Sequence, residues 1–455
     1  MGLLGGRLRR LAVVSLDERL AGVLADLYRA LSTIGGRYVF LCRRGRCWSY
    51  IEAPAGLEAA VSVPGLVLEE CRGTCRESSV LLPPPPAAVP PRPPKDLPRE
   101  GLLLGFSGGE AVRLPWRSLW GHIGVLGATG SGKTHTAARL TRCAAEHGAA
   151  VLVLDWHNEY HRLLDGARLL SHPLLPRVSL LGGLGPEEAL SAFEDVLGLT
   201  PNQALFLSNI LAAAATGDPG EAAKVLEPIL GRTGEAARAA SLTARASSLE
   251  DLLSAVLAAY QARSLMGMGK GEQEVWAALI RKLALLGADK RYSTLFSLRG
   301  AGELPLEEGK AVILNLASIA NVVVRRLYAL FLLHSLYSQA QAGTLPPTLV
   351  VVEEAHNLLA GNTIPLLLSE ARKYMLGLIV VTHTPRILPP QAYANINTII
   401  VHRIVSPEDK KRLAEILPGG YDQLLPVLPP GFALVHAPEW SQPAVAAVEL
   451  DAPCT

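Results

Sequence analysis

The sequence predicts an α/β fold, and three observations carry that reading. From about residue 101 short apolar strands such as "HIGVLGA" and "AAVLVLDWH" alternate with helical patterns. Buried strands that follow one another through helical crossovers mean a parallel sheet. Between Pro186 and Asp289 the strand signal vanishes, and segments such as "EEALSAFEDVLGL" and "EQEVWAALIRKLALLG" take helical spacing. A dense run of prolines, "LLPPPPAAVPPRPPKDLPRE", separates all of this from a smaller unit in front.

In chain order, residues 1–80 predict a small α/β domain. A helical segment, "LDERLAGVLADLYRALSTI", leads into the strands "RYVFLC" and "CWSYIEA", joined by a Gly-containing turn. Residues 81–100 are the linker, because prolines this dense fix φ, remove donors and give an extended, semi-rigid spacer. The first part of the core follows over 101–185, then a helical insertion over 186–289. The second part, 290–455, resumes with the strands "KAVILNLAS", "TLVVVEEAH", "LGLIVVTHT" and "NTIIVHRIV".

The 455 residues make two or three domains the natural expectation. A net charge of +2 says nothing about partners unless the Lys and Arg are gathered in one place. The longest apolar runs fall short of the roughly 18–20 residues that span a bilayer, and the first twenty residues do not read as a signal peptide. The expectation is a soluble, cytoplasmic protein without a transmembrane segment. Cys42, Cys47, Cys71 and Cys75 are spaced more widely than the usual CxxC metal pairs. Zinc, a disulfide across the hairpin turn at Cys42 and Cys47, and ordinary buried thiols all stay open.

The chemistry starts with "GATGSGKTH". Gly127, Ala128, Thr129, Gly130, Ser131, Gly132, Lys133 and Thr134 match GxxxxGK[ST] in full, between a strand and a helix that His135 helps to open. Glycines let backbone amides curl around phosphates, and the positive end of the following helix adds to the field. Lys133 would reach the β- and γ-phosphate oxygens and the Thr134 hydroxyl would ligate Mg2+. Nucleotide binding, with ATP as the ligand, is therefore predicted. The strand "TLVVVEEAHN" then supplies two acids: Glu353 suits the position that holds hydrated magnesium, and Glu354 the acid that orients or deprotonates water. Asp155 ends the strand in "LDWHNEY". Arg372 and Lys373 lead into a strand that closes on Thr382 and His383, where a polar side chain can sense the γ-phosphate. "FSGGE" and "EEAH" look like a transporter signature and a helicase box, but lack the context of either.

Together these residues resemble the HerA branch of the HerA/FtsK superfamily of ring-forming P-loop translocases, over about 102–437. "HIGVLGATGSGKTHT" is similar to the family's P-loop, "LDWHNEY" to its D-x-x-G-E-Y segment and "VVVEEAHN" to its second acidic strand. "SEARKYMLGLIVVTHTP" is similar to the stretch that opens on Gly-Arg-Lys-x-Gly and ends in Gln-x-Pro, and "LPPGFALVHAP" to the closing strand. The resemblance implies a RecA-like P-loop ATPase core. It implies Lys133 and Thr134 on phosphate and magnesium, Glu354 as catalytic acid, and Arg372 acting on a neighbouring subunit's nucleotide. His383 stands where the family has a sensor Gln, Asn158 replaces the Gly of the second motif, and Ala371 replaces the Gly before Arg-Lys. Residues 1–80 do not read as the family's β-barrel. The function so implied is an ATP-driven DNA translocase, a homohexamer that pulls DNA, duplex first and single-stranded as the alternative, through a central pore, with a nuclease or a membrane channel as candidate partner. The alternative is an ATPase recruited to the membrane to power a DNA-transfer or secretion channel.

Overall fold

Runs of Val, Ile and Leu become strands where both faces are covered, and eleven strands, the central ones of this kind, carry the α/β part of the chain. They are β1 (Leu102–Ser107), β2 (Glu110–Leu114), β3 (Ile123–Leu126), β4 (Ala150–Asp155), β5 (Arg168–Ser171), β6 (Ala311–Asn315), β7 (Thr348–Val352), β8 (Leu376–Thr382), β9 (Thr398–Val401), β10 (Phe432–His436) and β11 (Ala444–Val448). The computed structural model describes residues 9–16, 36–43, 46–53, 66–70, 94, 96–107, 109–182, 185–287, 290–359, 361, 363–418 and 421–455. Two compact units result, one from residues up to His147 and from Leu378 onward, the other from Gly148–Gly377.

In the first unit the strand order is β2-β1-β11-β10-β9-β3-β8. β3 is buried throughout and runs parallel to both neighbours, with Ile123 opposite Thr398 on β9 and Ile379 on β8. The remaining pairings are antiparallel, so one side of this sheet departs from the all-parallel expectation. The loop after β3 feeds α1 (Lys133–Glu146). Arg139 of α1 is fully buried and stays satisfied by donating to the carbonyls of Leu103, Leu450, Ala452 and Pro453. Arg142 donates to Leu450 and Ala452 as well. A disulfide between Cys143 and Cys454, Cα atoms 5.2 Å apart, fixes the same segment to α1.

The front of this unit contains a four-stranded antiparallel sheet in the order Arg37–Arg43, Arg46–Ala53, Arg9–Leu16, Leu66–Glu70. The expected hairpin is present, with Cys42 opposite Cys47 in register. The other two strands, Arg9–Leu16 and Leu66–Glu70, had no sequence signal. The helix expected beyond Leu16, together with Cys71, Cys75 and most of the proline run, lies outside the described residues.

In the second unit β7-β4-β6-β5 are all parallel. The insertion is helical as expected: α2 (Pro186–Leu197), α3 (Pro201–Thr216), α4 (Pro219–Leu230), α5 (Gly234–Arg245), α6 (Leu249–Leu265) and α7 (Lys270–Gly287). Its boundaries are written locally. Thr200 with Gln203 and Ser248 with Asp251 form capping boxes, Asp218 and Thr233 cap α4 and α5, and Gly198, Gly217 and Gly231 end helices. Trp276 is the buried hub, stacked on Phe206 at 4.4 Å. A short parallel pair, Val178–Ser179 with Phe296–Ser297, closes the root of the insertion. The long helix α8 (Val322–Gln341) buries Leu327 through Leu333.

Candidate active site

The glycine loop is built in the first unit. Gly127 and Gly132 take φ of 154° and 115°, a region that side chains rarely enter. A Cβ on Gly127 would stand 2.6 Å from the His402 Cβ, so the loop closes down only because these positions are glycine. Ser131 Oγ and Lys133 Nζ both donate to the Ala128 carbonyl, at 2.6 and 3.0 Å. Lys133 is nearly buried at the start of α1, Thr134 is half-buried, and Thr129, Gly130 and His135 are exposed. This is an anion cradle: a helix N-terminus, curled amides and a lysine.

His402, which sequence reasoning missed, braces the loop from behind. Its Nδ1 lies 2.9 Å from the Phe432 carbonyl, which can only accept, so Nδ1 carries the proton. Nε2 is then the acceptor for the Thr136 hydroxyl, at 2.8 Å. Burial lowers its pKa to about 4, and the ring stays neutral.

The acids belong to the second unit. Asp155, fully buried at the end of β4, accepts from the backbone amides of His157 and Glu159 at 3.2 Å and of Tyr160 at 3.0 Å. Its carboxylate therefore shapes the turn that follows. That turn needs a left-handed residue, and Asn158 supplies it at φ 61°, which explains how Asn replaces the resembling family's Gly. Trp156 is covered by the Arg325 guanidinium, 5.2 Å from the ring centre.

Glu353 follows β7, is 3% exposed and accepts from the Trp156 amide at 3.2 Å. Burial first, then the neighbouring Asp155, pushes its pKa up to about 8. A carboxyl in this setting ionises readily only beside a cation, so its chemistry fits a hard divalent ion such as magnesium. Glu354 adopts a left-handed backbone at φ 48°. His356 Nδ1 lies 3.0 Å from one of its carboxylate oxygens and His157 Nε2 3.5 Å from the other. These two histidines also went unread in the sequence. The Tyr160 hydroxyl is buried and has no hydrogen-bond partner among the described residues.

Asp155, Glu353 and Glu354 are thus brought together with His157, His356 and Tyr160. Arg372 does not join them through any hydrogen bond or ion pair; it is exposed in the turn Ala371–Tyr374, beside the contact between Lys373 and Glu370. Ala371 has ordinary backbone there, while Met375, at the second glycine of the family's pattern, takes φ 53°. His383 is exposed at the end of β8 in the first unit.

A family model described as the central domain of the helicase HerA matches residues 112–336. The similarity to the HerA family is carried by residues 112–336, just under half of the chain. Among HerA relatives, the DNA double-strand break repair helicase HerA of Sulfolobus acidocaldarius is 26% identical over 335 residues, covering 70% of this chain and 61% of that protein. The protein of the same description from Saccharolobus solfataricus is 25% identical, again over 70% and 61%. The chain thus spans about 61% of the length of these curated HerA relatives. Among solved structures, VirB4 of Thermoanaerobacter pseudethanolicus superposes with a TM-score of 0.57 at 16% identity, over 78% of this chain and 98% of that one. The plasmid coupling protein TrwB in complex with ADP and Mg2+ gives 0.51 at 14% identity, over 78% and 90%. The fold of this chain is that of the RecA-like P-loop ATPases.

Proposed function

We propose that this chain hydrolyses ATP and couples the hydrolysis to movement along duplex DNA, as part of a ring of identical subunits. The observation that carries the reading is a chain with similarity to HerA that holds both a complete phosphate-binding loop and a strand ending in two acids, the first of them buried. Relatives named as double-strand break repair helicases support DNA as the partner.

In this reading Gly127 through Thr134 bind the phosphates, with Lys133 on the terminal ones. Thr134 and Glu353 would hold magnesium, which when bound neutralises phosphate charge. Glu354 orients water for attack on the γ-phosphate and takes up its proton, and Asp155 sets the turn that supports the acids. Arg372, exposed at the turn Ala371–Tyr374, acts on the nucleotide of the next subunit in a hexamer. His383 reports the γ-phosphate as a hydrogen-bond donor in place of Gln. No helix among the described residues is long and apolar enough to cross a membrane.

The test is steady-state ATP hydrolysis with and without linear duplex DNA. Glu354→Gln is expected to lower turnover at least about a hundredfold while leaving nucleotide binding in place. Stimulation by duplex in the wild type, absent in the variant, supports a DNA-coupled motor. Turnover indifferent to duplex and single strands removes DNA coupling and favours a protein cargo or a channel partner.

A further inference from the structure

The strand end that braces the glycine loop also brings up an arginine, Arg403, whose Nε has no hydrogen-bond partner among the described residues. The His402 amide donates to the Leu126 carbonyl at 2.7 Å, and the Ala128 amide donates to the Arg403 carbonyl at 2.8 Å. Residues 402 and 403 therefore continue the pairing of β9 with β3 into the first turn of the loop. His402 is locked there by Thr136 and Phe432, which fixes where the next residue starts.

Arg403 is half-buried, and its Nε is shielded from solvent without a hydrogen-bond partner among the described residues. The fully buried arginine of this unit behaves differently: Arg139 spends its guanidinium on four backbone carbonyls. A guanidinium stays charged at any working pH, and a sheltered donor with no acceptor is unfavourable until an anion completes it. The loop bonded to this residue's own backbone is built to hold phosphates.

We propose that Arg403 is a nucleotide-binding residue that pairs with the phosphate chain of the nucleotide held by Gly127–Thr134 in the same subunit. The assignment rests on the P-loop reading above and adds to it a cation that no part of the motif encodes. It differs from the role given to Arg372, which is exposed and assigned to a neighbouring subunit's nucleotide.

The test is the affinity for a fluorescent mant-ATPγS with magnesium, measured by titration on the wild type, Arg403→Ala, Arg403→Lys and Lys133→Ala. Nucleotide-free thermal midpoints are recorded alongside. Arg403→Ala should weaken binding about tenfold or more, the scale of a lost charge-assisted contact, with an unchanged midpoint. Arg403→Lys should recover part of the loss, because it keeps the charge without the fork. Binding kept in Arg403→Ala but lost in Lys133→Ala overturns the assignment and leaves the P-loop reading standing. A wild type that binds no better than Lys133→Ala removes the P-loop reading and this assignment with it. Weakened binding that Arg403→Lys does not recover, with midpoints lowered in both variants, marks a packing role and also overturns the proposal.

Discussion

Glu354 is held more tightly than an acid at a strand end needs to be. Its left-handed backbone costs on the order of 1–3 kcal/mol in a non-glycine residue, and such strain persists only where the surroundings enforce it. Here the enforcement includes His356 and His157, one against each carboxylate oxygen. These histidines restrict the angles from which the carboxylate can meet water, while the proposed phosphate site is the loop around Lys133. His356→Ala should therefore lower kcat roughly ten- to a hundredfold, the scale of a misplaced catalytic group, with little change in KM for ATP. Partial recovery in His356→Gln would tie the effect to positioning. A variant that raises KM and leaves kcat intact would place His356 with nucleotide binding instead. Backbone strain also accounts for two departures from the family's pattern. Asn158 and Met375 occupy left-handed positions at which the pattern has glycine, and Asn tolerates that region better than Met does.

At the scale of elements, His402 ties three together: the end of β9, helix α1 through Thr136, and β10 through Phe432. Its pKa is lowered by burial to about 4, against 6.5 when unfolded. The folded state thus binds fewer protons between those values, so stability is fully present above pH 6.5 and is lost as the pH falls from 6.5 to 4. The loss amounts to at most about 3 kcal/mol. Thermal midpoints between pH 7 and pH 4 should fall more steeply for the wild type than for His402→Asn, which has no ring to protonate. Equal slopes would remove His402 from the acid response. The strands β3, β4, β6, β7, β8 and β9 were legible because a fully buried strand is an unbroken apolar run. The antiparallel side was legible only in β10, through the resemblance of "LPPGFALVHAP": Ala447 pairs with Phe106, and no local pattern encodes a partner so distant in sequence. The insertion was legible at both ends, since Pro186 opens α2 and Gly287 closes α7. The glycine loop and the acid pair were legible because their chemistry demands particular residues at particular spacings. His402 and Arg403 were not, because in "TIIVHRIV" they look like the polar end of any strand.

At the scale of the whole molecule, the two units are threaded by one chain that leaves the first after His147 and returns at Leu378. The disulfide between Cys143 and Cys454 closes that excursion, joining residues 311 apart in sequence. The chain is consequently a covalent ring with an N-terminal tail. The turn between α6 and α7, with Leu265 70% and Met266 49% exposed, is the place where a protease would cut it. A single cut there should leave one species in a denaturing gel without reductant and two fragments with it. Two fragments in both lanes would mean that the ring is open. A closed ring can lose a peptide bond in its helical insertion and still keep every residue on one molecule.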